Sequence, residues 1–286
     1  MACAMKCKSG IAFWAVLCIA NTSLGACSKR SRSSASPATS LHSPLADAKH
    51  ALSEEAVTVP RDMVAVPGAT FFKGIDAPDS GLEQGEMASV NAFTIDRLEV
   101  TVAQYLECQR EKKCDAALHD GAGCNATSKP PALNHPMNCI TWREANEFCR
   151  AREKRLPTAS EWELAARGTD RRPYPWGSAL PSEQVCWQGR HRKQRTATCA
   201  VGSFDEGASP YGLLDMAGNV AEWTSSVRSG SYPPPIYEVR GGSYARDPME
   251  DPSWTFLRVD FSAPGNPNTA SPEIGFRCAK DLPQAP

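Results

Sequence analysis

Eight cysteines lie between positions 108 and 278, and they constrain the fold more than any other feature of the sequence. They are Cys108, Cys114, Cys124, Cys139, Cys149, Cys186, Cys199 and Cys278. In an exported protein an even number of cysteines indicates disulfide bonds, whereas in a reducing compartment it more often indicates metal or redox sites. The compartment must therefore be inferred first, from the N-terminus of the chain.

Residues 1–26 have the pattern of an export signal, in which two lysines precede an apolar run at 11–20 and small residues follow. The run is too short to span a bilayer as a permanent helix. The sequence Leu24-Gly25-Ala26-Cys27 resembles the lipobox of bacterial lipoproteins, in which the acylated cysteine begins the mature chain. We therefore expect a lipidated Cys27 and a protein anchored to a membrane of the bacterial cell envelope, on its periplasmic or outer face. A plain secretory signal with an unmodified Cys27 is the alternative.

The rest of the chain predicts a disordered tether followed by one folded domain. Residues 27–61 are rich in Ser, Pro and Ala and have too few apolar side chains to offset their ordering entropy. Residues 62–283 form the predicted domain, whose many prolines and glycines favour loops over a helical bundle. The net charge of −1 gives no indication of a nucleic-acid partner.

Three short helices are predicted within that domain, at about 102–111, 142–152 and 159–167. Each begins with a threonine that has Gln or Glu three residues later, which is the pattern of a capping box. Strands are predicted at Met63–Val66 and Phe93–Asp96. Regular periodicity fades after Gly168, so most of 170–275 is expected to be loops and short strands pinned by disulfides or a bound cation.

One candidate for that cation site is the stretch from Gly212 to Trp223. It contains two carboxylates seven residues apart, Asp215 and Glu222, on a loop punctuated by Gly218. Carboxylate and carbonyl oxygens are the ligands that Ca²⁺ prefers. A turn with a hydrogen-bonded aspartate and a buried tryptophan is the simpler explanation of the same residues.

Five motifs in order resemble the formylglycine-generating enzyme family, also called sulfatase-modifying factors. They are Arg155-Leu156-Pro157-Thr158-Ala159-Ser160-Glu161-Trp162-Glu163, Pro175-Trp176-Gly177, the 212–223 stretch, Arg240-Gly241-Gly242-Ser243 and Gly275-Phe276-Arg277-Cys278. The resemblance implies a single loop-rich α+β domain with C-type-lectin-like topology. It also implies a structural calcium ion, held by the side chains of Asp215 and Glu222 and the carbonyls of Gly218 and Val220.

The same resemblance pairs Cys149 with Cys278 in a disulfide. Cys186 and Cys199 bracket a basic loop and are expected to pair with each other. The other four cysteines allow three connectivities, among which we favour Cys108–Cys114 with Cys124–Cys139.

The family's oxidation of a substrate cysteine to formylglycine uses copper held by two cysteines shortly after the Gly-Gly-Ser motif. This chain has no cysteine between Cys199 and Cys278, and the single thioether of Met249 cannot replace a thiolate pair. We therefore predict no catalytic residues and no copper, although a diverged oxidase or maturation enzyme remains the alternative.

A ligand cleft is expected where the family has its active site, with Tyr244 and Trp254 as aromatic walls and Arg246 and Arg258 as polar groups. A solvated loop with internal ion pairs is the simpler explanation of these charges. The sequence therefore favours a calcium-pinned binding or accessory module that presents this cleft to an unidentified periplasmic or surface protein or peptide.

Overall fold

A computed structural model describes residues 62–75, 85–115, 118–188, 196–228, 230, 233, 235–245 and 255–283. The expected signal, lipidation and tether segments and the side chains of Arg246 and Trp254 therefore lie outside the described residues. The helices are α1 (Val102–Arg110), α2 (Trp142–Ala151) and α3 (Ala159–Arg167), and short 3₁₀ turns cover Asp205–Gly207 and Thr255–Leu257. The strands are β1 (Met63–Val66), β2 (Ala69–Lys73), β3 (Glu86–Val90), β4 (Phe93–Asp96), β5 (Ala221–Val227), β6 (Tyr237–Arg240), β7 (Ser262–Gly265), β8 (Ile274–Gly275) and β9 (Ala279–Asp281).

The three helices begin where the capping boxes predict. Thr101, Thr141 and Thr158 each accept a hydrogen bond from the backbone three residues ahead, and the Gln or Glu at that position bonds back to the cap. Each box satisfies two backbone donors that a helix N-terminus leaves without intrahelical partners. The helices end within a residue or two of the predicted bounds.

The strands form three small sheets. In the first, β1 and β9 both pair antiparallel with β4, so that the beginning and the end of the domain flank one strand. In the second, β2 pairs with β3. The third has the order β7-β6-β5-β8, in which β8 runs parallel to β5 and the other neighbours are antiparallel.

Two tryptophans from the recognised motifs anchor the core, and both are fully buried. Trp162 projects from α3 and lies against Gly241, where an added Cβ would approach the indole to 3.0 Å. Trp223 on β5 donates from its indole nitrogen to the carbonyl of Ile140 at 3.0 Å. Trp162 therefore joins α3 to the Gly-Gly-Ser segment, and Trp223 joins β5 to the segment before α2.

Four disulfides join the loop-rich parts of the domain. Cys149 pairs with Cys278, Cys186 with Cys199, Cys108 with Cys114 and Cys124 with Cys139. These are the pairs that the sequence analysis expected or favoured. Because of them, all eight cysteines that follow position 27 are oxidised.

The architecture confirms an α+β domain with short helices and little regular structure. Within the described part of the chain, no helix is long and apolar enough to cross a membrane.

Candidate cation site and ligand cavity

The stretch from Gly212 to Trp223 folds as a tight loop that leads into β5. Asp215, Gly218 and Asn219 have φ values of 56°, 75° and 55°, in the left-handed region. Glycine is required at 218, because an added Cβ would lie 2.4 Å from the carbonyl oxygen of Cys186. Asp and Asn are the residues that best tolerate this conformation at the other two positions.

Asn219 is the centre of the loop's hydrogen bonding and is fully buried. Its side-chain oxygen accepts from the backbone nitrogen of Cys199 at 2.9 Å, and its Nδ2 donates to Glu99 at 2.7 Å. Its backbone nitrogen donates to the carbonyl of Cys186, and its carbonyl accepts from Tyr244. Through its side chain and backbone together, this one residue connects the loop to the Cys186–Cys199 disulfide, to Glu99 and to Tyr244 after the Gly-Gly-Ser segment.

Glu222 lies on β5, and its carboxylate pairs with a fully buried arginine. Gly275 on β8 is the register partner of Glu222, and Arg277 stands two residues further along. Arg277 donates from Nε and Nη2 to the Glu222 oxygens at 2.8–3.0 Å, while Trp162 donates its indole N–H at 2.8 Å. Arg277 also donates to three backbone carbonyls, those of Asp96, Arg97 and Leu214.

Two further carboxylates share this buried region with Glu222. Glu99 is 2% exposed, and its pKa is raised well above the usual range by burial and then by the charges of Asp215 and Glu222. Burial also raises the pKa of Asp215, whose Oδ2 accepts from the backbone of Gly202 at 2.6 Å. Three acidic groups therefore lie close to Arg277, whose charge acts on both Glu99 and Asp215.

This donor set fits a hard divalent cation in its charge and in its oxygen chemistry. The three acidic groups outnumber the single guanidinium by two. A bound cation would therefore offset negative charge that burial otherwise penalises. The Glu222 carboxylate is already bonded to Arg277 and Trp162 and would have to share its oxygens with the ion. In the described ranges no cluster of three His, Cys, Asp or Glu side chains could hold a metal by itself. The calcium site expected from the sequence also includes the carbonyls of Gly218 and Val220. It stays a prediction.

Sequence reasoning missed Glu99, although it is central to this region. It lies between β4 and the cap of α1, more than one hundred residues before Asp215, and belongs to no motif with a recognisable spacing. Its backbone neighbour Val100 bonds to the carbonyl of Phe276. Only the folded chain therefore brings Glu99 beside Asn219 and Arg277.

A cavity of about 170 Å³ lies beneath the Gly-Gly-Ser segment. Gly242 has φ 67°, and an added Cβ would lie 2.3 Å from the carbonyl oxygen of Phe256, so the chain needs glycine there to reach this position. Strands β5–β8 and their connections supply the walls. The lining residues are Ala221, Val239, Gly242, Ser243, Phe256, Phe261, Ala263, Pro264, Ser271, Glu273 and Ile274.

The cleft expected from the sequence differs from this cavity. Tyr244 is buried and Arg258 is bonded through two nitrogens to Asp260, and neither residue lines the cavity. Arg258 is occupied because Asp260, two residues away, holds its guanidinium at 2.6–2.9 Å. Three polar side chains line the cavity: Ser243 was noted only as the end of the Arg240–Ser243 motif, and Ser271 and Glu273 were not singled out in the sequence.

Comparison with known proteins identifies relatives along most of the chain. Residues 48–282 match the family model described as a sulfatase-modifying factor enzyme 1-like domain. The chain is 30% identical over 273 residues to the inactive C-alpha-formylglycine-generating enzyme 2 of Bos taurus, covering 79% of this chain and 90% of that protein. It is 35% identical over 186 residues to the formylglycine-generating enzyme of Streptomyces coelicolor, covering 57% of each chain.

Two solved structures show the same fold. CarF superposes with a TM-score of 0.63 at 21% identity, covering 79% of this chain and all of that one. PvdO from Pseudomonas aeruginosa superposes with a TM-score of 0.60 at 22% identity, covering 77% of this chain and 94% of that one.

Proposed function

Because the chain belongs to the sulfatase-modifying factor family, we propose that it is a binding or accessory module of that family and not a copper oxidase. The observation that carries the proposal is the state of its cysteines. All eight in the folded domain are paired in disulfides, and none of them lies between Cys199 and Cys278. Copper(I) chemistry needs soft thiolate ligands, and a disulfide sulfur supplies none.

The relatives support this proposal. Two inactive formylglycine-generating enzyme homologues, from Bos taurus and Mus musculus, are 30% and 31% identical to this chain over most of its length. A family domain can therefore be retained in proteins that lack formylglycine-generating activity. In this chain the fold would present the cavity under Ser243 to a periplasmic or surface partner.

The test is aerobic incubation of the purified protein with copper and a cysteine-bearing sulfatase peptide. We expect no aldehyde, measured by hydrazide capture and mass spectrometry, while an active family member assayed in parallel converts the peptide. Formation of aldehyde at a catalytic rate would refute the proposal.

The alternative is a maturation enzyme with a diverged metal centre, and the 35% identity to a formylglycine-generating enzyme over 57% of its length is the observation that favours it. Metal analysis of the purified protein separates the two functions. Calcium alone supports the accessory module, and stoichiometric copper or iron supports the enzyme.

The proposed module includes a structural calcium ion at the 212–222 loop. Asp215 and Glu222 would supply carboxylate oxygens, and Gly218 and Val220 would supply carbonyls. The ion would offset the excess negative charge beside Arg277 and hold the left-handed turn in place. Glu99 and Asn219 would position the loop through the bonds that Glu99 accepts from Asn219 and Val220.

We further propose that the domain is held at a bacterial envelope membrane by a lipid on Cys27, with 27–61 as a tether. Membrane fractions from cells labelled with an alkyne fatty acid should contain the modified protein. Replacing Cys27 with Ser should release it to the soluble fraction, and label retained in that variant would contradict the lipid assignment.

A further inference from the structure

The Cys186–Cys199 disulfide lies against the loop that is proposed to hold calcium. The backbone nitrogen of Cys199 donates to the side-chain oxygen of Asn219 at 2.9 Å, and the backbone nitrogen of Asn219 donates to the carbonyl of Cys186 at 2.8 Å. The Cα atoms of the two cysteines lie 6.1 Å apart. Asn219 is therefore held between the two ends of one covalent bridge, and its neighbours Gly218 and Val220 carry the carbonyls expected to bind the ion.

Each end of the bridge makes a second contact with the loop. At the first end, the carbonyl oxygen of Cys186 is so close to the loop that an added Cβ at Gly218 would approach it to 2.4 Å. At the second end, Gly202 follows Cys199 by three residues and donates its backbone N–H to the Asp215 carboxylate at 2.6 Å. The disulfide thus joins two segments that contact Asp215 and Gly218, two of the four expected cation ligands.

The two segments are anchored to different parts of the domain. Trp187, beside Cys186, packs in an apolar cluster, whereas Thr198, beside Cys199, bonds through its hydroxyl to Asn125. Because these anchors are separate, the disulfide fixes the distance between the two segments on either side of the cation loop. The affinity of a calcium site increases with its rigidity, since binding then orders fewer groups. Opening the bridge should therefore weaken binding of the ion without removing any ligand.

We propose that the Cys186–Cys199 disulfide is a redox switch for the cation loop, and that its reduction by a dithiol releases the ion. The inference rests on the calcium site of the proposed function and adds the regulation of that site. A thiolate of the dithiol attacks the sulfur of Cys199, which is half-buried, and the buried Cys186 leaves as a thiolate and takes a proton. The second thiolate of the dithiol then displaces Cys199 as a thiol, so the dithiol gives up two electrons and becomes a disulfide.

The first experiment is a calorimetric titration of calcium into the purified full-length protein with and without the bridge. The double variant Cys186→Ala with Cys199→Ala should bind calcium about tenfold more weakly than the wild type, within the range typical of two coupled sites. The matched control is Cys108→Ala with Cys114→Ala, which removes the disulfide at the end of α1 and should leave the affinity within about twofold of the wild type.

The second experiment uses the wild type alone and so does not depend on the folding of a variant. An ion that binds the bridged form more tightly must oppose opening of the bridge by the same factor. Saturating calcium should therefore raise, by about tenfold relative to EDTA, the ratio of reduced to oxidised dithiothreitol that half-reduces Cys186–Cys199. The Cys108–Cys114 bridge, followed in the same samples by thiol alkylation and mass spectrometry, should show little change.

Two results would overturn the switch while leaving the calcium site in place. One is a double variant without Cys186 and Cys199 that folds and binds calcium as tightly as the wild type. The other is a midpoint for reduction of this bridge that is the same in calcium and in EDTA. A wild type that binds no calcium would overturn the calcium site together with the switch, and the aldehyde assay tests the oxidase question separately.

Discussion

Replacing Arg277 should destabilise the domain strongly. Its guanidinium is fully buried, neutralises Glu222 and donates to three backbone carbonyls. Arg277→Met introduces a long apolar side chain without a charge. Glu222 is then left as a buried carboxylate beside Glu99 and Asp215. Removing one partner of a buried pair costs about 3–5 kcal/mol, and the carbonyls that lose donors add about 1–3 kcal/mol.

That loss of about 4–8 kcal/mol compares with a total stability of roughly 5–15 kcal/mol for a typical domain. The Arg277→Met variant should therefore retain little stability once EDTA has removed any bound cation. Adding Glu222→Gln removes the uncompensated charge and should restore about 2–3 kcal/mol, since the carboxamide can still accept from Trp162. Arg172→Met is the matched control, because its partner Asp170 is 54% exposed and no buried carboxylate is left when that pair is broken; it should cost about 1 kcal/mol or less.

The assay is urea unfolding followed by tryptophan fluorescence with the disulfides intact, for the wild type, both single variants and the double variant. A free energy of unfolding for Arg277→Met within about 1 kcal/mol of the wild type would refute the reasoning. So would a double variant no more stable than Arg277→Met, because the penalty would then not arise from Glu222.

Three other predictions concern the same region and its surroundings. EDTA should lower the melting temperature of the wild type, and Asp215→Ala should abolish that response because the variant lacks a cation ligand; an unchanged response would place the ion elsewhere. Asn219→Gly retains access to the left-handed φ but loses the bonds to Cys199 and Glu99, so it should cost about 2–4 kcal/mol in urea unfolding. Asn219→Ala should cost about 1 kcal/mol more through backbone strain, and equal losses would show that the strain is unimportant. Burial lowers the pKa of His135, so the unfolded chain takes up a proton near pH 6.5 that the folded chain does not. Stability should consequently fall as the pH drops below about 6.5, and His135→Gln should flatten that slope; a slope that persists in this variant would assign it to other groups.

Local chemistry explains why the helices could be predicted from the sequence. A capping box is contained within four residues, so Thr101, Thr141 and Thr158 mark the helix starts without reference to the rest of the fold. The fold class followed from the ordered motifs. The disulfide partners of Cys149 and Cys186 followed from the family resemblance and from the bracketed basic loop.

The buried ionic region and the cavity depend instead on contacts between distant segments. Glu99 reaches Asn219 across 120 residues, and Ser243 reaches Glu273 across thirty. Neither pair has a spacing that a sequence pattern could reveal. The sequence suggested a cleft formed by Tyr244, Arg246, Trp254 and Arg258, and two of these, Arg246 and Trp254, lie outside the described residues. In the described part of the chain Asp260 holds the Arg258 guanidinium, and a cavity opens beside Glu273.

The pairing of β1 and β9 with the same central strand determines how the domain could be joined to other proteins. Met63 is opposite Asp96 and Asp281 is opposite Phe93, so the two ends of the domain lie on the order of 15 Å apart across three strands. A linker of about five or more residues would bridge that gap. The domain could accordingly be cyclised, opened at a surface loop into a circular permutant, or inserted as a guest into a loop of a host protein with little disturbance of either fold.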